Sequence, residues 1–346
     1  MKQTAVVVAP GRGTYNAPEL GYMTRHHTDQ SRLIGEFDAY RTQQGQTTLT
    51  DLDGAARFTA RDHTRGDNAS ALIHACAYLD FLSIDRDRFD ILAVTGNSMG
   101  WYIALACAGA LASMDGLHTV NTMGTLMQQA LIGGQLIYPF VDADWRDIPG
   151  ARAAILNKIA AIDARPDHEL GLSIDLGGMI VLAGNAVGLT AFESEMPVVQ
   201  DRFPMRLPNH AAFHTRLQAP VAEQGRSVLP MEMYHQPRLP LVDGRGAIWY
   251  PQASDLSGLW SYTLGHQVVE PYDFTGAIRT AAREFMPDVF IVLGPGTTLG
   301  GAVAQSLVRA NWRGWTSKPD FKTAQDCAPR LVSMGHADQR AWVTAG

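Results

Sequence analysis

The stretch that most constrains this chain is Gly96-Asn97-Ser98-Met99-Gly100. An apolar run, Phe89 to Thr95, precedes it, and a helix-like run, Trp101 to Leu111, follows it. The order is strand, tight turn, helix, with a serine at the apex of a G-x-S-x-G pattern. Glycine is needed on both sides because a Cβ would meet the neighbouring strand or helix. Such a turn exposes the Ser98 hydroxyl and aims a helix N-terminus at it, where backbone N–H groups stabilise a developing oxyanion. In this context Ser98 is a candidate nucleophile. The competing reading of the bare five residues is a structural turn serine.

Around this elbow the chain reads as alternating strands and helices. Ala5 to Ala9 is a β-branched run feeding Pro10-Gly11-Arg12-Gly13, a buried strand entering a glycine loop. Residues 16–65 are mixed, with weak helix signals. Asn68 and Ser70 are candidate caps for a helix carrying Leu72, Ile73, Leu79 and Phe81 on its core side. A further helix is expected from about His118 to Leu131. From 131 to 206 the pattern changes to strand, helix, strand, strand, helix, which suggests a small split α/β sandwich inserted into a larger domain. Leu241-Val242 and Val289 to Leu293 resume the large domain as buried strands, the second ending in Gly294-Pro295-Gly296. Residues 316–346 read as a polar extension holding at most one helix.

Bulk properties narrow the class. With 346 residues, 46% hydrophobic and 18% charged, the chain suits a soluble globular protein with room for one large domain and an insert. A net charge of −6 argues against nucleic acid as the main partner. No signal-peptide core or apolar run of membrane-spanning length is present, so no membrane partner is expected. Cys76, Cys107 and Cys327 are scattered and odd in number, which suits a reducing cytoplasm and argues against a disulfide framework.

A serine nucleophile needs a base. Of eleven histidines, His26, His27, His63, His118, His168 and His235 lie in polar or turn-like surroundings and read as surface residues. His74 reads as a satisfied core histidine. His210 and His214 lie where the insert returns to the large domain, and a loop there would overlook the cleft. His266 and His336 remain as further candidates. No histidine pair has zinc-ligand spacing beside a suitable carboxylate, so no metal is expected. The Arg12 loop lacks the Lys-Ser/Thr of a phosphate loop and the third glycine of a dinucleotide fingerprint, and suits an oxyanion-binding turn better.

Taken in order, several segments resemble one family, the malonyl-CoA:acyl-carrier-protein transacylases and the acyltransferase domains of fatty-acid and polyketide synthases. Pro10-Gly11-Arg12-Gly13 resembles its P-G-Q-G loop, and the Ser98 elbow with the alanine-rich helix after it resembles its G-H-S-x-G segment. Phe213-His214 with Leu217 and Pro220 resembles its histidine segment, and His266 to Pro271 and Gly294-Pro295-Gly296 resemble two late motifs. The resemblance runs from about residue 3 to 310. It implies an α/β-hydrolase-like core with a parallel sheet (1–130 and 207–346) and a ferredoxin-like inserted subdomain (131–206). It implies Ser98 as nucleophile, His214 as base, the backbone N–H groups of Arg12 and Met99 as oxyanion donors, and Gln267 at the position whose carbonyl orients the histidine. It further implies acyl-CoA and the phosphopantetheine of an acyl carrier protein as substrates, no bound cofactor, and a monomer.

Three positions bear on specificity. Twenty-five residues past the serine, where malonyl-using members carry an arginine that pairs the substrate carboxylate, stands Met123. Methionine cannot pair a carboxylate, so a neutral acyl group packed against Met123 is expected; Arg12 is the alternative source of charge. Trp101 is expected to narrow or line the acyl pocket. Phe213 matches members that take unbranched malonyl and pulls the other way. Three rival readings stay open: a thioester hydrolase with the same acyl-enzyme, a catalytically silent carrier-protein-binding scaffold, and a plain esterase using His336.

Overall fold

The computed structural model describes residues 2–344. The outer bounds expected for the large domain, 1 and 346, lie outside them. Among the described residues eleven strands form two sheets. In chain order they are β1 (Gln3–Ala9), β2 (Phe89–Gly96), β3 (Gly134–Pro139), β4 (Leu170–Leu176), β5 (Met179–Gly184), β6 (Met205–Arg206), β7 (Leu241–Val242), β8 (Ile248–Trp249), β9 (Tyr272–Asp273), β10 (Val289–Val292) and β11 (Leu331–Ser333).

The larger sheet runs β11-β10-β1-β2-β7-β8. Its first five strands are parallel, and β8 closes the edge as an antiparallel hairpin with β7. Ala5 to Ala9 on β1 are wholly buried, as a central parallel strand covered on both faces by helices requires. The smaller sheet runs β6-β3-β5-β4-β9. Its strands from 134 to 206 interleave with helices Ala151–Asp163 and Ala186–Glu195 in βαββαβ order, antiparallel, with the spatial order 4-1-3-2 of a ferredoxin-like sandwich. Leu136, Ile155, Ile159, Leu182 and Phe192 form its own apolar core. β9, contributed from beyond residue 206, pairs parallel with β4 and extends this sheet toward the large domain. No described helix is long and apolar enough to cross a membrane.

Several local expectations are corrected. The helix expected to start at Asn68 or Ser70 starts at Gly66, and both candidate caps are buried inside it. It packs so tightly on helix Ser113–Ala130 that a Cβ on Gly66 would lie 2.7 Å from the Gly124 carbonyl oxygen. That latter helix also starts five residues before the expected His118. Residues 316–346 are not a plain extension. They supply β11 to the sheet edge and two helices, Lys318–Cys327 and Ala337–Val343. From the last helix Arg340 reaches a buried cluster in which Asp80 accepts from Arg340, Tyr22 Oη (2.8 Å) and the Gly294 amide (2.7 Å). His27 is wholly buried against Asp80 at 2.9 Å, and His63 is buried with Nε2 against the Leu52 carbonyl at 3.0 Å. Neither is the surface residue its polar neighbours suggested: His27 is covered by Asp80 from 53 residues away, and His63 turns its ring inward onto Leu52 and Thr59.

Candidate active site

β2 ends at Gly96 and the helix Gly100–Cys107 begins four residues later. Both glycines are forced by close approach. A Cβ on Gly96 would lie 2.2 Å from the Gly100 carbonyl, and one on Gly100 would lie 2.4 Å from the Ala9 carbonyl oxygen of β1. Ser98 sits at the apex with φ of 56°, a left-handed conformation that costs a non-glycine residue energy.

Ser98 Oγ lies 2.7 Å from His214 Nε2, although 116 residues separate them. His214 also has positive φ, 58°, and its amide donates to Val268 O. Its Nδ1 lies 2.6 Å from Gln267 O. A carbonyl only accepts, so Nδ1 carries the proton and Nε2 is left to accept from the serine hydroxyl. Burial is the main influence on this imidazole and lowers its pKa to about 4, against a smaller rise from the Gln267 carbonyl bond. It therefore stands neutral and basic at pH 7. The Gln267 side chain braces the same corner: Nε2 donates to Ser98 O at 3.0 Å and Oε1 accepts from Tyr102 Oη at 2.9 Å. Among the described residues the amides of Arg12 and Met99 donate to no protein acceptor, so two N–H groups beside Ser98 are unspent.

Two cavities meet at Ser98. A small one, about 20 Å³, is walled mainly by Tyr102, Val120, Met123, Met127, Phe213 and Val268. A large one, about 590 Å³, runs between the two sheets past Asn97, Thr64, Gln135, His210 and Leu299. Arg12, Ser98 and Phe213 border both. Met123 is buried at the base of the small cavity, wedged against helix Ala219–Val228 so that a Cβ on Gly225 would lie 2.7 Å from its sulfur. Arg12 donates from Nη2 to Thr64 O (2.9 Å) and Asn209 O (3.1 Å), and its guanidinium lies 5.5 Å from the Phe213 ring centroid. Desolvation draws it down to about 10, with Asp67 pulling the other way, so it stays a cation at neutral pH.

Trp101 does not line the acyl cavity, contrary to expectation. It is wholly buried, with Nε1 donating to Thr263 Oγ1 at 3.0 Å and its ring edge-on to Tyr262. A residue advances about 100° around a helix, so the cavity is faced by Tyr102, which the sequence reading passed over; stepping the helical phase by one residue would have found it. His336 is exposed at the start of the last helix and borders neither cavity. His74 is buried, but neither ring nitrogen has a partner, so it is not the satisfied histidine expected.

No family model matches the chain. The malonyl CoA-acyl carrier protein transacylase of Bacillus subtilis is 28% identical over 216 residues, which is 60% of this chain and 62% of that protein. That match spans under two thirds of the relative's length. The malonyl-CoA:ACP transacylase of Synechocystis superposes with a TM-score of 0.74 at 16% identity, covering 99% of this chain and all of that one. A malonyl-transacylase solved in complex with its type II polyketide-synthase acyl-carrier protein gives a TM-score of 0.73 at 15% identity, with 99% of each chain covered. The chain is thus similar in sequence to malonyl CoA-acyl carrier protein transacylases and shares the fold of solved ones, the proteins that the order of its motifs resembles.

Proposed function

We propose that the chain is an acyl-thioester:carrier-protein acyltransferase of the malonyl transacylase type, working through an acyl-Ser98 ester. The carrying observation is the 2.7 Å contact of Ser98 Oγ with an imidazole whose other nitrogen is committed to a carbonyl. His214 removes the hydroxyl proton as Ser98 attacks the thioester carbonyl, and the oxyanion rests on the Arg12 and Met99 amides. Collapse expels the thiolate, which takes the proton from His214. An incoming phosphopantetheine thiol, deprotonated by His214, then takes the acyl group off the serine by the reverse steps. The large cavity suits the arm that carries the thioester, and the small one suits the acyl tail. The carrier protein is the partner that the complexed structural neighbour uses.

The lining of the small cavity favours a short neutral acyl group. Met123 offers no partner for a carboxylate, and thioether side chains adapt to apolar tails. One observation favours a carboxylated tail instead: the Arg12 cation borders the same cavity with only main-chain carbonyls and a ring face as partners. The test is intact-mass analysis after offering acetyl-, butyryl- and malonyl-CoA in parallel to wild type and Ser98→Ala. Neutral loading that is lost in Ser98→Ala supports the reading. Malonate as the predominant adduct reassigns the charge recognition to Arg12. An adduct that decays as fast in buffer as with holo carrier protein makes the chain a hydrolase.

A further inference from the structure

The chain holds a second histidine at the cleft that the acyl-transfer chemistry does not use. His210 borders the large cavity but not the small one. Its Nδ1 lies 2.7 Å from Gln135 Oε1. Gln135 Nε2 donates to Ser173 Oγ at 2.7 Å, and Ser173 Oγ donates to Phe213 O at 2.8 Å. Gln135 and Ser173 are buried, 2% and 0% exposed, so this chain does not trade partners with water.

Its polarity can be read from the far end. Phe213 O can only accept, so Ser173 spends its single proton there and faces Gln135 as an acceptor. Gln135 must then present its amide nitrogen to Ser173 and its oxygen to His210. An amide oxygen also only accepts, so Nδ1 of His210 carries the ring proton and Nε2 keeps a free lone pair. No described protein group bonds that Nε2, and it is not among the sealed, unpartnered polar atoms, which leaves it open to the cavity. Burial, aided by the nearby Arg12 cation, lowers the imidazole to about 3, so the lone pair persists at neutral pH. The neighbouring cleft groups Arg12 and the unspent amides are donors; His210 offers an acceptor in a fixed direction.

We propose that His210 is a binding residue whose Nε2 accepts a hydrogen bond from an amide N–H of the pantetheine-type arm bearing the acyl thioester. The inference rests on the acyltransferase reading above. The arm is assigned rather than the acyl tail because His210 stands on the large cavity alone. Coenzyme A and a carrier protein share this arm, so the contact serves both loading and unloading.

Two measurements test it. The first compares kcat/KM for Ser98 acylation by an acyl-N-acetylcysteamine thioester, which keeps one amide, with the plain butyl thioester of the same acyl group. In His210→Phe the ratio of the two is expected to fall roughly five-fold, the loss of one neutral hydrogen bond. Unloading onto pantetheine against butanethiol is expected to change alike, and a fall confined to one half-reaction assigns the contact to that thiol's source. A merely structural role, acting through Ser173 on the Phe213 carbonyl, lowers both thioesters together and leaves the ratio unchanged, which overturns the proposal. The second uses nitrogen-15 NMR of the wild-type protein titrated with D-pantetheine. The His210 ring is expected in the Nδ1–H form, with its Nε2 resonance moving on binding. An Nε2 resonance unmoved at saturation overturns the proposal, and this readout stands even if no thioester acylates Ser98, the outcome that would defeat the acyltransferase reading instead.

Discussion

Gln267 offers the sharpest energetic test of the site, because one side chain bonds both the Tyr102 hydroxyl, which has no other described partner, and the Ser98 carbonyl, which otherwise accepts only from the Trp101 amide. Its Nε2 holds Ser98 O at 3.0 Å and its Oε1 takes the Tyr102 hydroxyl at 2.9 Å. Both side chains are 2% exposed. In Gln267→Ala the Tyr102 hydroxyl is left buried and unpaired, a cost of about 1–3 kcal/mol, and the Ser98 carbonyl loses a neutral bond of about 1 kcal/mol. The truncation is therefore expected to cost about 3 kcal/mol. Tyr102→Phe strands Gln267 Oε1 and is expected to cost about 1–2 kcal/mol. Once the glutamine is gone, the hydroxyl is a liability rather than a partner. The double variant should then be less destabilised than the sum of the singles by about 1 kcal/mol or more. Urea denaturation of the four proteins at pH 7.5, with m-values held equal, measures this coupling. Additivity within about 0.4 kcal/mol, the scatter of independent sites, refutes the claim that this bond braces the elbow. The carbonyl that holds His214 belongs to the main chain and survives in Gln267→Ala. Acylation should accordingly be slowed by that variant and abolished by His214→Ala.

Three further outcomes follow from the geometry. The acid limb of the pH profile for Ser98 acylation is expected near pH 4, where burial places His214, because protonation removes the base only below its pKa; a limb near 6.5, the ordinary histidine value, contradicts the buried neutral imidazole. His74 is buried with neither ring nitrogen partnered and is lowered to about 3, so between about 3 and 6.5 only the unfolded chain takes up its proton and its share of stability, full above 6.5, falls as pH drops; at pH 4.5 His74→Leu should recover about 2.7 kcal/mol relative to wild type beyond any difference at pH 7.5, read by urea denaturation at both values. Gly100→Ala drives a Cβ to within 2.4 Å of the Ala9 carbonyl oxygen and is expected to cost about 2–3 kcal/mol and to abolish fluorophosphonate labelling of Ser98, read by thermal melting and intact mass; wild-type stability and labelling would show that the elbow has more room than the backbone allows.

What the sequence disclosed divides by distance along the chain. The elbow was legible because its causes are local: β-branched strand, two glycines and an apolar helix lie within about twenty residues. The βαββα order of the small sandwich was legible for the same reason, each element carrying its own period; its last strand, the two-residue β6, was not. The helix phase was not, since which side of Gly100–Cys107 meets the cleft depends on how the helix sits on the sheet. Tyr102 therefore takes the cavity-facing place expected of Trp101. The buried position of His27 was hidden because Asp80 and Arg340 supply part of its cover from 53 and 313 residues away. β11 was hidden in a polar segment because three residues pair only where β10 already stands, a non-local cause that propensity does not register. The pairing of Ser98 with His214 could be suggested only by resemblance, not by any local pattern.

The smaller sheet does more in this geometry than wall the cleft. Gln135 lies on β3 and Ser173 on β4, and their bonds end on the carbonyl of Phe213, the residue before the histidine. From the other side Val268 O holds the His214 amide and Gln267 O holds its ring. The large sheet fixes the serine through Gly96, whose carbonyl accepts from Tyr272 Oη at 2.6 Å, and Tyr272 itself belongs to β9 of the smaller sheet. Ser98 is thus tied to both sheets, and His214 to the smaller sheet and to the helix Gln267–Val269, by groups that water does not reach. A positive φ at Ser98 and at His214 persists only where surrounding bonds over-determine it, and these bonds are the ones that do so. Relative motion of the sheets would therefore lengthen the 2.7 Å Ser98–His214 contact before it disturbed either core. The geometry of the Ser98–His214 pair is a property of the junction between the sheets rather than of the elbow alone.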